Sequence, residues 1–357
     1  MEDAIRVIDG CRSKRGLFAS TGYYRDLWLR DVVFSLESLI EAGEGEVVRR
    51  HLETFLRAQR EDGRVPAVVA SGFGGLVNEK YQPWTSDSEV LLVLGVSRYA
   101  KLTADTAFAR INSGRIRRAL EFTGRRLHMS FVVGSDWRDA VVGLDEEALL
   151  SNQMLLVDAY KALDMEDEAS DLSDSVVERF SEGGGLLVDS VSSNDGRLSR
   201  VKRFDCLGSA LAVLNGTAGV STYRRTAEGF QKAATRFGWR NLYPPYPPRS
   251  LRALSSLEKA RSYLRNGAFL RNRPESYQNS AVWPFVEIMI GRAFAAMGMK
   301  EEATVVYRKV YERKGFNEWY DPRNGKPRGS EGQLWTAAAV LEAGRALGKV
   351  ESGARPD

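Results

Sequence analysis

The chain has 357 residues, with 51 Lys and Arg against 47 Asp and Glu, a net charge of +4 and 43% hydrophobic content, the balance of a soluble globular protein large enough to bury a sizeable core. Its charges are mixed and accompany no basic motif for nucleic acid; the densest cluster, Arg115, Arg117, Arg118, Arg125 and Arg126, reads as a solvated helix face. Two cysteines and two histidines are too few for a disulfide framework, a four-thiolate zinc site or a His-rich metal site, so chemistry must rest on carboxylates, Arg, Tyr or Ser, with no metal or cofactor expected.

The N-terminus shows no basic segment followed by an apolar run, and no stretch approaches the roughly 18 apolar residues of a membrane span. A cytoplasmic protein without a membrane partner is expected. Helical periodicity predicts segments at 2–10, 31–43, 45–60, 87–103, 105–127, 148–163, 165–181, 205–215, 221–236, 251–265, 282–297, 300–314 and 335–347. Ala148 to Leu163 places Leu149, Leu156, Tyr160 and Leu163 on one face, with Ser151 and Asp158 opposite. The 282–297 segment is apolar over most of its circumference, as a buried helix would be. Cys11 and Cys206 read as buried small hydrophobes. His51, following Arg49 and Arg50, reads as a helix-surface residue. Strand patterns are few: Gly185 to Val188 and Arg197 to Val201, flanking Asn194-Asp195-Gly196, read as one hairpin.

The longer connections are rich in Trp, Tyr, Arg and Asp, and most are separated by two helices. That rhythm predicts helical hairpins whose loops emerge on one side. The expected architecture is all-α, an (α/α)6 barrel with a small β-hairpin excursion; an open α-solenoid is the alternative. One domain over 1–350 is expected, followed by a polar, frayed tail at 351–357.

Several loops carry aromatic residues beside carboxylates. Trp28-Leu29-Arg30-Asp31 precedes a helix, where Asp31 suits an N-cap. Arg30 and Asp31 also offer a donor and a charged acceptor to vicinal sugar hydroxyls, with Trp28 as a platform. Trp84 to Asp87 has the same form, and Asp87 is either a cap or a hydroxyl ligand. In Asp136-Trp137-Arg138-Asp139 two acids flank a Trp. An apolar wall and a neighbouring carboxylate both help an acid to keep its proton, so either Asp is a candidate general acid. Tyr277 to Pro284 opens a helix with Pro284 in the first turn, and Trp283 is a core wedge or a cavity wall. Tyr243 to Pro248 predicts extended chain, as a rim wall or a contact surface. Glu318 lies between Asn317 and Trp319, followed by Tyr320, a turn at Asp321 to Gly325, and then Gln333 and Trp335. A fixed carboxylate among aromatics suits a general base acting on water.

Together these motifs resemble the inverting (α/α)6-barrel glycosidases, closest to the group holding the amylo-1,6-glucosidase of glycogen debranching enzymes, the alkaline/neutral invertases and α-glucosidase I. Trp28-Leu29-Arg30-Asp31 is similar to the group's Trp-x-Arg-Asp element, which binds the terminal sugar. Trp137-Arg138-Asp139-Ala140 resembles the element that supplies the acid, which points to Asp139 rather than Asp136. Glu318-Trp319-Tyr320-Asp321 to Gly325 resembles the element of the base, and Gln333-Leu334-Trp335 its Gln-x-Trp. Arg138 stands where many members have Met, and the segment after Asp139 is shorter than theirs.

The resemblance implies an inverting exo-acting hydrolase of an α-glucoside, amylo-1,6-glucosidase-like, with Asp139 as acid and Glu318 as base. Inversion requires the two carboxyl groups to stand roughly 6.5–9.5 Å apart. Trp28, Arg30, Asp31, Trp84, Asp87, Trp137, Tyr277, Trp283, Tyr320, Gln333 and Trp335 would bind the sugar. The partner is a small glycoside or oligosaccharide, with no nucleic acid. Two other readings stand beside it. A sugar epimerase on the same barrel would use His as acid and base, and neither His51 nor His128 lies in the aromatic loops. A degenerate barrel would bind glycan without cleaving it.

Overall fold

The computed structural model describes residues 1–71, 85–194, 197–247, 264 and 272–351. Helices alternate between two layers. The outer layer holds α1 (Glu2–Gly10), α4 (Gly45–Ala58), α6 (Thr106–Arg125), α8 (Glu166–Phe180), α10 (Tyr223–Ala233) and α12 (Lys300–Tyr311). The inner layer holds α2 (Leu29–Phe34) with α3 (Leu36–Glu41), then α5 (Ser88–Thr103), α7 (Leu150–Lys161), α9 (Cys206–Leu214), α11 (Pro284–Ala296) and α13 (Leu334–Glu351). Each inner helix packs on the next, and α13 returns to α2 and α3, closing the ring. The fold is an (α/α)6 barrel.

The sequence separates the layers by periodicity. In α8 the buried residues Ala169, Leu172, Val176 and Phe180 form one stripe, leaving the other face to water. Inner helices have neighbours on both sides and need no polar face. In α9, 8 of 9 residues are buried, and in α11, 10 of 13. Small residues let these helices approach: a Cβ on Gly208 of α9 would sit 2.8 Å from Leu150 and Ser151 of α7. Burial of α7 also overrides the polar face expected for it. Ser151 is fully buried, and Asp158 pairs with Arg98 at 2.9 Å.

Outer helices α1, α6, α8 and α10 each run into a hairpin of two-residue strands, such as Arg12–Ser13 with Gly16–Leu17 and Ser181–Glu182 with Leu186–Leu187. After each hairpin a longer loop leads to the next inner helix. Among the described residues, three further two-stranded sheets and one of three strands lie in these loops, including Leu27–Trp28 with Val68–Val69 and Trp319–Tyr320 with Pro327–Arg328.

Three expectations are corrected. The partner of Arg197–Val201 is Ser190–Asn194, not 185–188, which pairs backward onto the end of α8. Strands flanking a two-residue connection must be immediate neighbours, which selects the strand ending at Asn194. The segment at 31–43 is two helices, broken at Ser35, whose N–H turns back to Val32 O at 3.2 Å. His51 is fully buried, because the hairpin at Gly16 (φ +144) lies directly against it. Its Nδ1 accepts from Leu17 N at 3.2 Å, and burial lowers its pKa to about 3, so the ring is neutral. The helix expected at 251–265 lies outside the described residues save Leu264. Among the described residues no helix is long and apolar enough to cross a membrane.

Candidate active site

The loops that start the inner helices converge on one small cavity, open on one side to solvent. Its wall is aromatic. Trp137, Trp283 and Trp335 line it, meeting edge to face with centroids 5.1 Å and 5.5 Å apart. Phe285 stacks behind Trp335 at 4.4 Å. Trp283 is therefore both core wedge and cavity wall. Trp28 and Tyr24 extend the aromatic lining on the side of the 19–28 loop.

Arg30 and Asp31 occupy the first turn of α2. That helix begins at Leu29 with Trp28 in the cap position, so Asp31 lies inside the first turn and is not the N-cap residue expected from the sequence. The Arg30 guanidinium is buried; Nη1 donates to Trp137 O at 2.9 Å and to Asp139 Oδ2 at 3.2 Å. Asp31 Oδ1 accepts from Gln333 Nε2 at 3.0 Å. Burial pushes the Asp31 carboxyl up to about 8; Arg30 opposes the shift and the charge of Glu318 adds to it.

The two acids before α7 have different surroundings. Asp136 is buried away from the cavity, held by Arg138 at 2.8 Å and by the Ser151 hydroxyl. Asp139 lines the cavity. Arg138 also reaches Asp189 at 2.7 Å and Asp205 at 3.6 Å, and Tyr246 donates to Asp189. One guanidinium thus joins three loops beneath Asp139. Arg138 engages Asp136, so that carboxylate does not stand free beside Asp139. Tyr246 is a buried anchor of this cluster rather than a rim residue.

Glu318 stands on the cavity wall with both oxygens held. Oε1 accepts from the Tyr277 hydroxyl at 3.0 Å and Oε2 from Ser330 N at 3.2 Å. Burial, and then the charge of Glu318, push the Tyr277 phenol well above its ordinary pKa, so it remains a donor. Gly329 (φ +73) allows the contact: a Cβ there would lie 2.3 Å from Glu318 Oε2. Asp321 to Gly325 is a turn, closed by Gly325 N donating to Asp321 O at 2.8 Å.

Among the described residues, five polar atoms of cavity-lining side chains are buried without a hydrogen-bond partner: Trp28 Nε1, Arg30 Nη2, Trp137 Nε1, Gln333 Oε1 and Trp335 Nε1. Buried polar groups are rarely left unpaired. Aromatic faces interspersed with such donors and acceptors suit a ligand with apolar ring faces and many hydroxyls.

Residues 110–336 match the family model of the mannosylglycerate hydrolase MGH1-like glycoside hydrolase domain. The chain belongs to this family. The matched span of this MGH1-like domain contains Asp139, Tyr277, Glu318 and Gln333. A glucosylglycerate hydrolase of Mycolicibacterium hassiacum is 37% identical over 73 residues, 20% of this chain and 16% of that protein. A mannosylglycerate hydrolase of Thermus thermophilus is 37% identical over 73 residues, 19% of this chain and 17% of that protein. These matches span under a fifth of either relative. In three dimensions, a GH63 mannosylglycerate hydrolase of Thermus thermophilus, solved with Tris and D-glycerate, superposes with a TM-score of 0.70 at 15% identity, covering 95% of this chain and 98% of that one. A structure described as a wild-type glycosidase gives a TM-score of 0.65 at 16% identity, over 97% and 95%. At such identities the likeness establishes the fold, which is that of the six-hairpin glycosidases the sequence resembles.

Of the residues expected to bind sugar, Trp28, Arg30, Asp31, Trp137, Tyr277, Trp283, Gln333 and Trp335 line the cavity of the MGH1-like domain, together with Asp139 and Glu318. Two do not. Asp87 is buried behind Arg30, with Oδ1 3.9 Å from Nη2. Tyr320 points to the core, where its hydroxyl donates to Gly315 O at 2.9 Å and Arg313 covers its ring. Trp84 lies outside the described residues. Gln278, Tyr24 and Ala19 line the cavity and were not singled out. Gln278 lies within the Tyr277 to Pro284 segment and Tyr24 just before Trp28, but neither residue type signals chemistry by itself.

Proposed function

We propose that this chain is an inverting, exo-acting glycoside hydrolase. Asp139 is its general acid and Glu318 its general base. The observation that carries the reading is that these two carboxylates, nearly half the chain apart, line one aromatic-walled cavity. In the reaction, Asp139 gives its proton to the glycosidic oxygen as the bond to the anomeric carbon breaks. Glu318 takes a proton from a water whose oxygen bonds to that carbon from the opposite face. The products are a free sugar of inverted configuration and the released alcohol, and solvent returns the proton from Glu318 to Asp139.

The cavity is small and walled by aromatic faces, which suits one terminal sugar ring rather than a polymer cleft. The enzymes named above carry glycerate glycosides in their names, so α-glucosylglycerate and α-mannosylglycerate rank ahead of the amylo-1,6 branch implied by the sequence resemblance. Incubation with each, followed by proton NMR of the first-formed anomer, tests the reading. The β-anomer should appear first and mutarotate afterwards. Initial release of the α-anomer overturns the mechanism, and binding without hydrolysis overturns the activity.

A further inference from the structure

Gln278 occupies an unusual position for a neutral side chain. Its Nε2 donates to Asp139 Oδ1 at 3.0 Å and to Trp137 O at 2.7 Å, while its Oε1 accepts from Ala140 N at 2.8 Å. The amide thus straddles Asp139, gripping the backbone on both sides of it. Its orientation is dictated by these neighbours, because a flipped amide would face a carbonyl with oxygen and an N–H with nitrogen. With Arg30 on Oδ2, both oxygens of Asp139 receive hydrogen bonds from the protein.

The segment that presents Gln278 is held rigidly. Glu275 (φ +61), Tyr277 (φ +50) and Ser280 (φ +78) all have left-handed backbones. Such conformations cost energy and persist where the surroundings over-determine them. Here Asn241 Nδ2 donates to Gln278 O at 2.8 Å, Asn279 exchanges two bonds with the backbone of Tyr246, and Ser280 Oγ donates to Leu242 O at 2.6 Å.

A general acid ends its task as an anion. Donors already aimed at its oxygens stabilise the charge that develops as the proton leaves, and strengthen the acid. We infer that Gln278 is the positioning residue of the general acid, fixing Asp139 and tuning its acidity for protonation of the leaving group. This rests on the reading of Asp139 as the acid. The role is specific to leaving groups that need a proton. Fluoride leaves unprotonated, so a glycosyl fluoride bypasses the acid.

The test compares wild type, Gln278→Met and Gln278→Glu on an α-glycoside of glycerate and on α-glucosyl and α-mannosyl fluorides. Gln278→Met should lose on the order of 10²-fold in kcat on the glycerate glycoside, the scale of impaired acid catalysis, and retain near wild-type rates on the fluorides. The alkaline limb of its kcat profile should move to higher pH, because loss of a donor to the carboxylate weakens the acid. Gln278→Glu keeps the size and the acceptor for Ala140 N, and opposes Asp139 with a like charge. It should move that limb further in the same direction. Equal losses on both substrate types, or an alkaline limb unmoved in Gln278→Glu, overturn the inference while leaving the hydrolase reading intact. A wild-type enzyme that cleaves neither substrate type overturns both.

Discussion

Arg30 and Asp139, 109 positions apart in the chain, meet in the cavity with Nη1 3.2 Å from Oδ2. The same nitrogen donates to Trp137 O, so one guanidinium fixes both the backbone and the side chain of the acid-bearing loop. Arg30→Lys keeps the cation but moves it, because the shorter, unforked side chain does not place its nitrogen where Nη1 stands. We expect kcat to fall by roughly 10²-fold, the scale of a small misplacement of a catalytic group. Steady-state kinetics on α-glucosylglycerate or α-mannosylglycerate should show it; a variant that changes only KM would assign Arg30 to sugar binding alone.

Removing either carboxylate separates the two roles. Asp139→Asn should cost about 10²–10⁴-fold on an alkyl glycoside, and much less on an aryl glycoside whose phenolate leaves with little help. Glu318→Gln should be inactive on both, because every substrate needs the attacking water. Matched melting temperatures would separate lost chemistry from lost fold. Should Glu318→Gln cleave the aryl glycoside at the wild-type rate, Glu318 is not the base.

The barrel was legible because its two layers have different periodicities. The single stripe of α8 and the all-round apolar pattern of α11 can both be read without coordinates, and helix boundaries followed within a few residues. Site residues were legible where aromatic and charged types stand together, as in Trp28-Leu29-Arg30-Asp31. Which way a side chain points was not. Tyr320 and Asp87 sit in such motifs yet face the core, held there by the Gly315 carbonyl and Arg313 in one case and by buried Arg30 in the other, and neither is visible in composition. The residues alone left Asp136 and Asp139 open and the resemblance pointed to Asp139; Arg138, which engages Asp136, is what distinguishes their surroundings. Gln278 was illegible for a different reason: a neutral amide gains meaning only from the groups it bridges.

The raised pKa of Asp31 gives a pH dependence of defined sign. Its carboxyl titrates near 8 in the folded protein against an ordinary value of 3.8. Between those values the folded state holds a proton that the unfolded state has released, so stability falls as pH rises through this window and levels above it. Asp31→Asn mimics the neutral acid and should flatten part of that decline. Glu89 and Asp205, each raised to about 7, act in the same direction and leave a residual slope. Thermal melts across about pH 4 to 9 check this; an unchanged slope in Asp31→Asn would mean that Asp31 is ionised in the fold at neutral pH.

Arg138 faces Asp136, Asp189 and Asp205 with no exposure to solvent. Methionine at this position would leave three buried carboxyl groups without their cation. Arg138→Met alone should destabilise by about 3–5 kcal/mol, the usual result of breaking a buried ion pair from one side. Adding Asp136→Asn removes one orphaned charge and should recover part of the loss in urea unfolding. If Arg138→Met is as stable as wild type, the cluster is held by protons rather than by the guanidinium.

Gly329 tests the placement of Glu318 without touching its chemistry. The residue has φ +73, and an added Cβ would lie 2.3 Å from Oε2 and 2.7 Å from Cβ of Glu318. A contact that close cannot be accommodated, so either the 329–330 backbone or the carboxylate must move. In both cases Ser330 N, which donates to Oε2 at 3.2 Å, loses its alignment. Gly329→Ala should therefore lower kcat by roughly 10²-fold and reduce glycosyl fluoride turnover to the same extent, because water activation is needed for both substrates. The last point separates it from Gln278→Met, whose defect a fluoride leaving group should bypass. A Gly329→Ala enzyme with wild-type turnover of the fluoride would show that Glu318 need not be held at Oε2 to act as base.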